Sequence, residues 1–495
     1  MSDQAIGMVQ MGTNPDPQSL PRPNQRPKRF TLLAAAQVLP AATARALGLT
    51  EGRHRLGLFL LVCALFGVIM SVEICAESEM FVSRTVMGVP PHFAITAFVV
   101  ALALLSDLGY CQRILARPSV VLGLVCVATL LGEGILRYGV RSYLVRSDLY
   151  IMRWFFVGFI LMRLATAAGM LRPYLVFAAI VILVVAARID STNSLAGQID
   201  AATNRISSSN LWPVINCGTI MIGLLLTVAW PRSWRYVAFG SVAFALLTFL
   251  GSVRSSTRSL FVVQSLCLVL VLLALYRDPR MRGRGRGIQR AATAFAVLGV
   301  VFLVSQIVLG NVLGGYSQLA DRFSETTQEN SVGTGSGRVD EAVMMVEEMT
   351  PDEWILGKGL GGMFYSRLGY WANAPHITVL VWLQKGGVPL FLIVLTTVYI
   401  APSLAFFGQL RRPRRISPLP SPIFIVGPML LSWCALTLVS GGTDTGSFLG
   451  LGGLTYLWIQ LTDDDKVFEW HRRNAGSLPY GMRPAEGVSE VVGAA

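Results

Sequence analysis

Charge is what this chain has least of. Of its 495 residues only 14% are Asp, Glu, Lys or Arg, while 53% are hydrophobic; a typical soluble domain carries about 25% charged residues. That balance excludes a string of soluble domains, which the length alone would allow. Strict apolar–polar alternation is also missing, which excludes a membrane β-barrel. The seven cysteines (63, 75, 111, 126, 217, 267 and 434) form no CxxC pair and lie mainly within apolar blocks. They read as inert packing residues, so neither a disulfide nor a metal site is expected. There is no Walker loop, no GxGxxG following a strand, no HExxH and no GxSxG elbow. An enzyme built from this chain must find its energy in the substrate itself.

What is present is apolar residues in blocks of roughly 17 to 22, about the length of helix that crosses a ~30 Å hydrocarbon core. The blocks fall near 56–72, 93–110, 118–136, 149–167, 172–189, 212–230, 235–252, 259–276, 291–311, 388–407, 423–440 and 446–461. The expected fold class is therefore all-α, a polytopic membrane protein of about 12 transmembrane helices. Residues 1–55 are polar, Pro-rich and basic. They read as a disordered cytoplasmic tail before an uncleaved first span rather than as a signal peptide. Transmembrane helices 1–9 then occupy 56–311, a large loop 312–387, helices 10–12 388–462 and a second cytoplasmic tail 463–495.

The net charge of +13 would suggest nucleic acid in a soluble protein. Here the basic residues stand mostly in short segments between apolar blocks, the signature of cytoplasmic loops, so no nucleic acid is expected. Counting spans from the basic N-terminal tail puts Arg277–Arg290 and Arg411–Arg415 inside and the segment from Val312 to Pro375 outside. That segment holds nine acids and four bases. Its net negative charge reads as a by-product of facing outward. Arg137, Arg141 and Arg146 fall on the same outer side, against the usual bias. Either a span is miscounted near them or they have an anionic partner.

The loop has internal parts. Gly333-Thr334-Gly335-Ser336-Gly337 reads as a flexible stretch. Val339, Ala342, Val343, Val346 and Met349 then repeat at helical spacing, with Ser336 as cap and Pro351 as stop. Gly357-Lys358-Gly359-Leu360-Gly361-Gly362 reads as a second flexible turn, and His376 to Gln384 as a short helix broken at Gly386-Gly387.

Few residues suit chemistry. Of the four histidines, His54 and His471 lie in the tails and His92 beside Pro90-Pro91, where each reads as a solvated or surface residue. His376, at the outer membrane edge between two glycine-rich breaks, suits proton transfer near neutral pH. Arg254 and Arg258, four residues apart on one helix face, either snorkel to headgroups or form a bidentate phosphate or pyrophosphate site. Arg338 heads the loop helix, where its charge opposes the helix dipole; a salt bridge to Asp340 or Glu341 is the structural alternative.

In order and spacing, Ser336-Gly337-Arg338-Val339-Asp340-Glu341, Pro351, Ile355-Leu356-Gly357-Lys358-Gly359-Leu360-Gly361, His376 and Gln384-Lys385-Gly386-Gly387-Val388 resemble the O-antigen ligase and O-antigen polymerase superfamily of bacterial polysaccharide enzymes. The resemblance covers roughly residues 240–410. It implies a GT-C-like helical fold in the bacterial inner (cytoplasmic) membrane, with the large loop and the active site facing the periplasm. It also implies transfer of a glycan from undecaprenyl pyrophosphate to a saccharide or lipid-linked saccharide acceptor, with no cofactor and no metal. Polysaccharide export proteins are possible partners. Arg258, with Arg254 as its alternate, and Arg338 would bind the pyrophosphate, and His376 would orient or deprotonate the acceptor hydroxyl. The chain departs from the family where Ile377 rather than Asn follows His376 and where Gln384-Lys385 replaces the usual acidic residue. These departures incline the choice between polymerase and ligase slightly toward polymerase. The rival class is a secondary transporter or polysaccharide flippase, which would carry polar or charged residues near the middle of several spans.

Overall fold

The computed structural model describes residues 51–74, 91–106, 116–139, 142–195, 199–200, 205–206, 211–229, 234–254, 258–277, 335–365, 371–372, 375, 377–411, 421–439 and 444–474. The apolar blocks become helices: α1 (Glu51–Val68, continued by a π-helical turn Ile69–Ile74), α2 (Pro91–Ser106), α3 (Pro118–Tyr138), α4 (Tyr143–Ala167) and α5 (Leu171–Leu195). After a two-residue antiparallel ladder of β1 (Ile199–Asp200) and β2 (Arg205–Ile206) come α6 (Leu211–Ala229), α7 (Trp234–Thr248, with a π-turn Phe249–Arg254) and α8 (Arg258–Arg277). Among the described residues seven helices are long and apolar enough to cross a membrane, and two shorter apolar helices cover Arg55–Ser71 and Pro422–Leu438. The chain is an all-α protein with the makings of a multi-pass membrane bundle. The expected span at 291–311 and the loop from 312 to 334 lie outside the described residues, as do the segments 1–50 and 475–495 of the two tails.

The loop segment has α9 (Gly335–Glu347), α10 (Pro351–Leu356) and a ladder of β3 (Phe364–Tyr365) with β4 (Trp371–Ala372). Pro351 does not stop the first loop helix, which ends at Glu347; it opens α10 at the first position. That site tolerates proline because its N–H would have no intrahelical partner. Glu353 accepts the Thr350 N–H at 3.1 Å, half of a capping box. A 3₁₀ turn (Thr378–Leu380) leads into α11 (Val381–Val394), a π-turn (Leu395–Ile400) and α12 (Ala401–Arg411). The expected break falls at Gly387, whose φ of 65° is not helical. The apolar stretch starts earlier than 388, running from Thr378 to Arg411. Two helices finish the bundle, α13 (Pro422–Val439) and α14 (Thr445–Asn474).

Helix α14 sits at the centre, against α4 and α6. Side chains cannot explain how closely it approaches them; their absence does. A Cβ at Gly158 of α4 would strike the Leu449 carbonyl, one at Gly452 the Phe155 carbonyl, and one at Gly446 the Pro213 carbonyl. In lipid there is no hydrophobic drive between helices, so such backbone proximity through small residues supplies much of the attraction. Trp154, Tyr174 and Phe66 fill the rest of the core, with Phe66 and Tyr174 meeting edge to face at 5.8 Å between α1 and α5. Gly452→Ala should lower stability by roughly 1–3 kcal/mol through overpacking, read as a lower unfolding midpoint in detergent. Gly132→Ala, where a Cβ meets open space, should leave that midpoint unchanged or higher.

Candidate functional site

The end of the bundle where α3 finishes and α4, α6, α11 and α14 begin carries the loop segment and is here the loop end. The glycine run Gly357–Gly362 is buried and fastened there, not a flexible turn. The Lys358 N–H donates to the Gln384 carbonyl at 2.7 Å and the Gly359 N–H to the Lys385 carbonyl at 2.9 Å. The Leu360 N–H reaches across to the Leu130 carbonyl of α3 at 3.1 Å. Glycine is required because backbone lies on backbone. A Cβ on Gly359, at φ 70°, would strike the Gly134 main chain, and one on Gly134 would strike that of Leu360. Only a residue without a Cβ allows both the positive φ and the contact.

A buried ion pair locks the same junction. Lys385 Nζ lies 2.8 Å from Asp148 Oδ2, with side chains only 6% and 11% exposed. It also donates to the Gly362 carbonyl at 2.8 Å. Asp148 accepts the Gly361 N–H at 2.6 Å, and Gln384 Nε2 donates to the Gly362 carbonyl at 3.1 Å. Gln384-Lys385 is therefore a structural fastener: the glutamine holds the Gly362 carbonyl and the lysine finds its counter-charge on α4.

Of the three arginines that stand against the usual bias, Arg137 has the anionic partners expected of it. It pairs with Glu133 one turn back, with Glu353 at 3.0 Å and with Asp352 at 2.9 Å. Arg146 is exposed, and Arg141 lies outside the described residues. Lys358 pairs with Glu348 at 3.4 Å. Three acids of the loop, Asp352, Glu353 and Glu348, thus hold it to the bundle or to itself.

The sequence-derived site residues fare unequally. Arg338 is described and half-buried in the first turns of α9. His376 lies outside the described residues, between buried Pro375 and half-buried Ile377. For Arg254 and Arg258 the backbone is described and the side chains are not. Their helix ends come to the loop end, since Gly251 abuts Ile215 near the start of α6. Beneath them runs a buried polar chain that the sequence reading missed. Ser252 Oγ donates to Gln264 Oε1 at 2.7 Å, and Gln264 Nε2 to Thr219 Oγ1 at 3.4 Å. One turn away on α6, Asn216 Nδ2 donates to Asp444 Oδ2 at 2.7 Å, and Ser447 caps the same carboxylate through its N–H and Oγ. Polar residues within apolar helices were the available signal. Arg153 was also missed, because α4 begins at Tyr143 and so places it about 15 Å along the helix. Its guanidinium lies 3.9 Å from the Tyr150 ring centroid.

Below the junction an apolar cavity of about 540 Å³ opens between α4, α11–α12, α13 and α14. It is lined by Trp382 and Phe448 near the loop end and runs past Val398, Pro402 and Leu451 to Trp458. Phe448 and Trp458 are ten residues apart on α14, a groove length of about 15 Å. The π-turn Leu395–Ile400 forms one wall, and such turns occur where a helix surface is reshaped for function.

Breaking the buried pair with Lys385→Met should cost about 3–5 kcal/mol by leaving Asp148 uncompensated. The double variant with Asp148→Leu should lose less, a coupling readable from unfolding midpoints. Hydrogen bonds from Thr350 and then Arg137 lower the Asp352 carboxyl pKa. Its contribution is therefore complete above the unfolded value near ~3.9 and is lost as pH falls through the lower folded value. Hydrogen exchange of α10, corrected for intrinsic rates, should show constant protection down to about pH 4 and loss below it.

No protein-family model, curated protein or solved structure matches this chain.

Proposed function

We propose that this chain is a membrane glycosyltransferase that moves a glycan from undecaprenyl pyrophosphate to a saccharide acceptor outside the cytoplasmic membrane, as a polysaccharide polymerase or ligase. One observation carries the reading. An apolar groove between the helices ends at Trp382, six residues past His376, under a loop whose glycine run is fastened to the bundle. Such a groove suits an isoprenoid chain, and the loop above it carries the cationic and titratable residues that a pyrophosphate and an acceptor hydroxyl require. In this reading the chain has twelve spans, a GT-C-like fold and its loop end in the periplasm of a bacterial inner membrane.

The chemistry follows from the residues. Arg338, with Arg258 or Arg254, holds the pyrophosphate and stabilises the charge that gathers on its leaving oxygen, where positioned donors act most strongly. His376 accepts the proton of the acceptor hydroxyl as its oxygen bonds to the anomeric carbon. The bond from that carbon to the pyrophosphate breaks, and the electron pair leaves on the phosphate oxygen. The energy comes from the pyrophosphate linkage, in keeping with a sequence without a nucleotide-binding motif.

A transporter or flippase of the same lipid-linked glycan draws on Arg153 and on the Ser252–Gln264–Thr219 chain, both within helices. Reconstitution with an undecaprenyl-pyrophosphate oligosaccharide and an acceptor separates the two. Wild type should lengthen or transfer the glycan, with His376→Ala losing roughly 10²–10⁴-fold and Arg338→Ala roughly 10²–10³-fold in rate. Full activity in both variants would sink the site assignment. Movement of intact donor across the bilayer with no transfer to any acceptor would favour the transporter.

A further inference from the structure

The β3–β4 ladder has two unlike faces. Adjacent strand residues point to opposite sides. Phe364 and Ala372, paired across the ladder, are buried against Met345, Met349 and Leu383. Their neighbours Tyr365 and Trp371, also paired, are 43% and 60% exposed. The two rings meet edge to face with centroids 5.5 Å apart and planes at 73°, so they form an open corner. A cross-strand aromatic pair stabilises a short ladder by up to about 1 kcal/mol, which explains the contact between the rings. It does not explain why a tryptophan leaves more than half of its surface in solvent, since that residue is highly buried on average.

Beside the corner a carboxylate is held in place. The Tyr365 N–H donates to both Glu348 oxygens, at 3.0 and 3.2 Å, and Lys358 Nζ stands 3.4 Å from one of them. About a third of the Glu348 side chain remains exposed, and Glu347 next to it is exposed as well. An aromatic face with an oriented carboxylate at its edge matches one ligand chemistry well. A pyranose ring has a face of C–H groups, which the electron-rich aromatic face attracts, and a rim of hydroxyls, which a carboxylate accepts. Two exposed acids disfavour anionic headgroups and nucleic-acid phosphates. Trp371 lies five residues before His376, at most about 18 Å along extended chain.

From this geometry we infer that Tyr365, Trp371 and Glu348 form a glycan subsite, which holds a pyranose ring of the donor or acceptor chain away from the reacting bond. The inference rests on the glycosyltransferase reading for its ligand, but its test does not depend on turnover. Wild-type protein in nanodiscs is applied to an array of pyranose oligosaccharides, and the affinity of the best binder is measured for wild type, Tyr365→Ala, Trp371→Ala and Trp371→Tyr. Unfolding midpoints check that each variant is folded. The alanine variants should weaken binding roughly tenfold or more, while Trp371→Tyr stays within about threefold. Equal affinity of Trp371→Ala and wild type, or no oligosaccharide bound by wild type, overturns the subsite. So does quenching of Trp371 by brominated lipid, which would make the pair a membrane anchor. Trp371-dependent binding without transfer to any acceptor leaves the subsite standing and removes the transferase reading. Intact transfer with unchanged affinity in Trp371→Ala does the reverse.

Discussion

The contact on which the site depends is backbone against backbone at the loop end, where Gly359 and Leu360 lie on Gly134 and Gly357 lies on Lys385–Gly386. It fixes where the loop re-enters the bundle. Hydrogen bonds to the Leu130, Gln384 and Lys385 carbonyls satisfy amides that would otherwise be buried without partners, and each one left unpaired would cost about 1–3 kcal/mol. The Lys385–Asp148 pair and the Arg137 cluster add charge to a junction that glycine geometry has already made possible. Together with the apolar cluster of Met345, Met349, Phe364 and Leu383, it ties α9 to α11 beside the groove under Trp382.

The bundle beneath uses the same device. Gly446 and Gly452 let α14 approach α6 and α4 so closely that carbonyls replace side chains as neighbours, while Gly450 and Gly453 make room for the Ile220 and Met162 side chains. The groove opens between α14 and the flank of α11–α13, where a π-turn joins α11 to α12. Under the proposed function, close packing on one flank and a gap on the other suit a bundle that is rigid around a cavity for a long apolar ligand.

The helical fold was legible because apolar blocks of membrane length carry their own signal, and most predicted spans overlap an observed helix. Boundaries were less so. Pro351 was read as a stop, yet proline suits a first helical position as well as a break. The glycine run 357–362 was read as flexible because sequence does not distinguish a glycine that frees the chain from one that lets another backbone approach. Arg137 stood out as a misfit, and both of its counter-charges on α10 are more than two hundred residues away, a pairing no local pattern carries. Gln264, Asn216 and Arg153 were visible as polar residues in apolar stretches, but their partners were not.

The central claim is that groove and loop form one site for a polyprenyl-pyrophosphate glycan, and photocrosslinking tests it directly. A photoreactive undecaprenyl-pyrophosphate probe, reacted with the protein in proteoliposomes and mapped by mass spectrometry, should label residues 394–402 and 448–458. Unlabelled undecaprenyl pyrophosphate should compete that labelling away. Adducts confined to other helices, or groove adducts that survive competition, would contradict the claim.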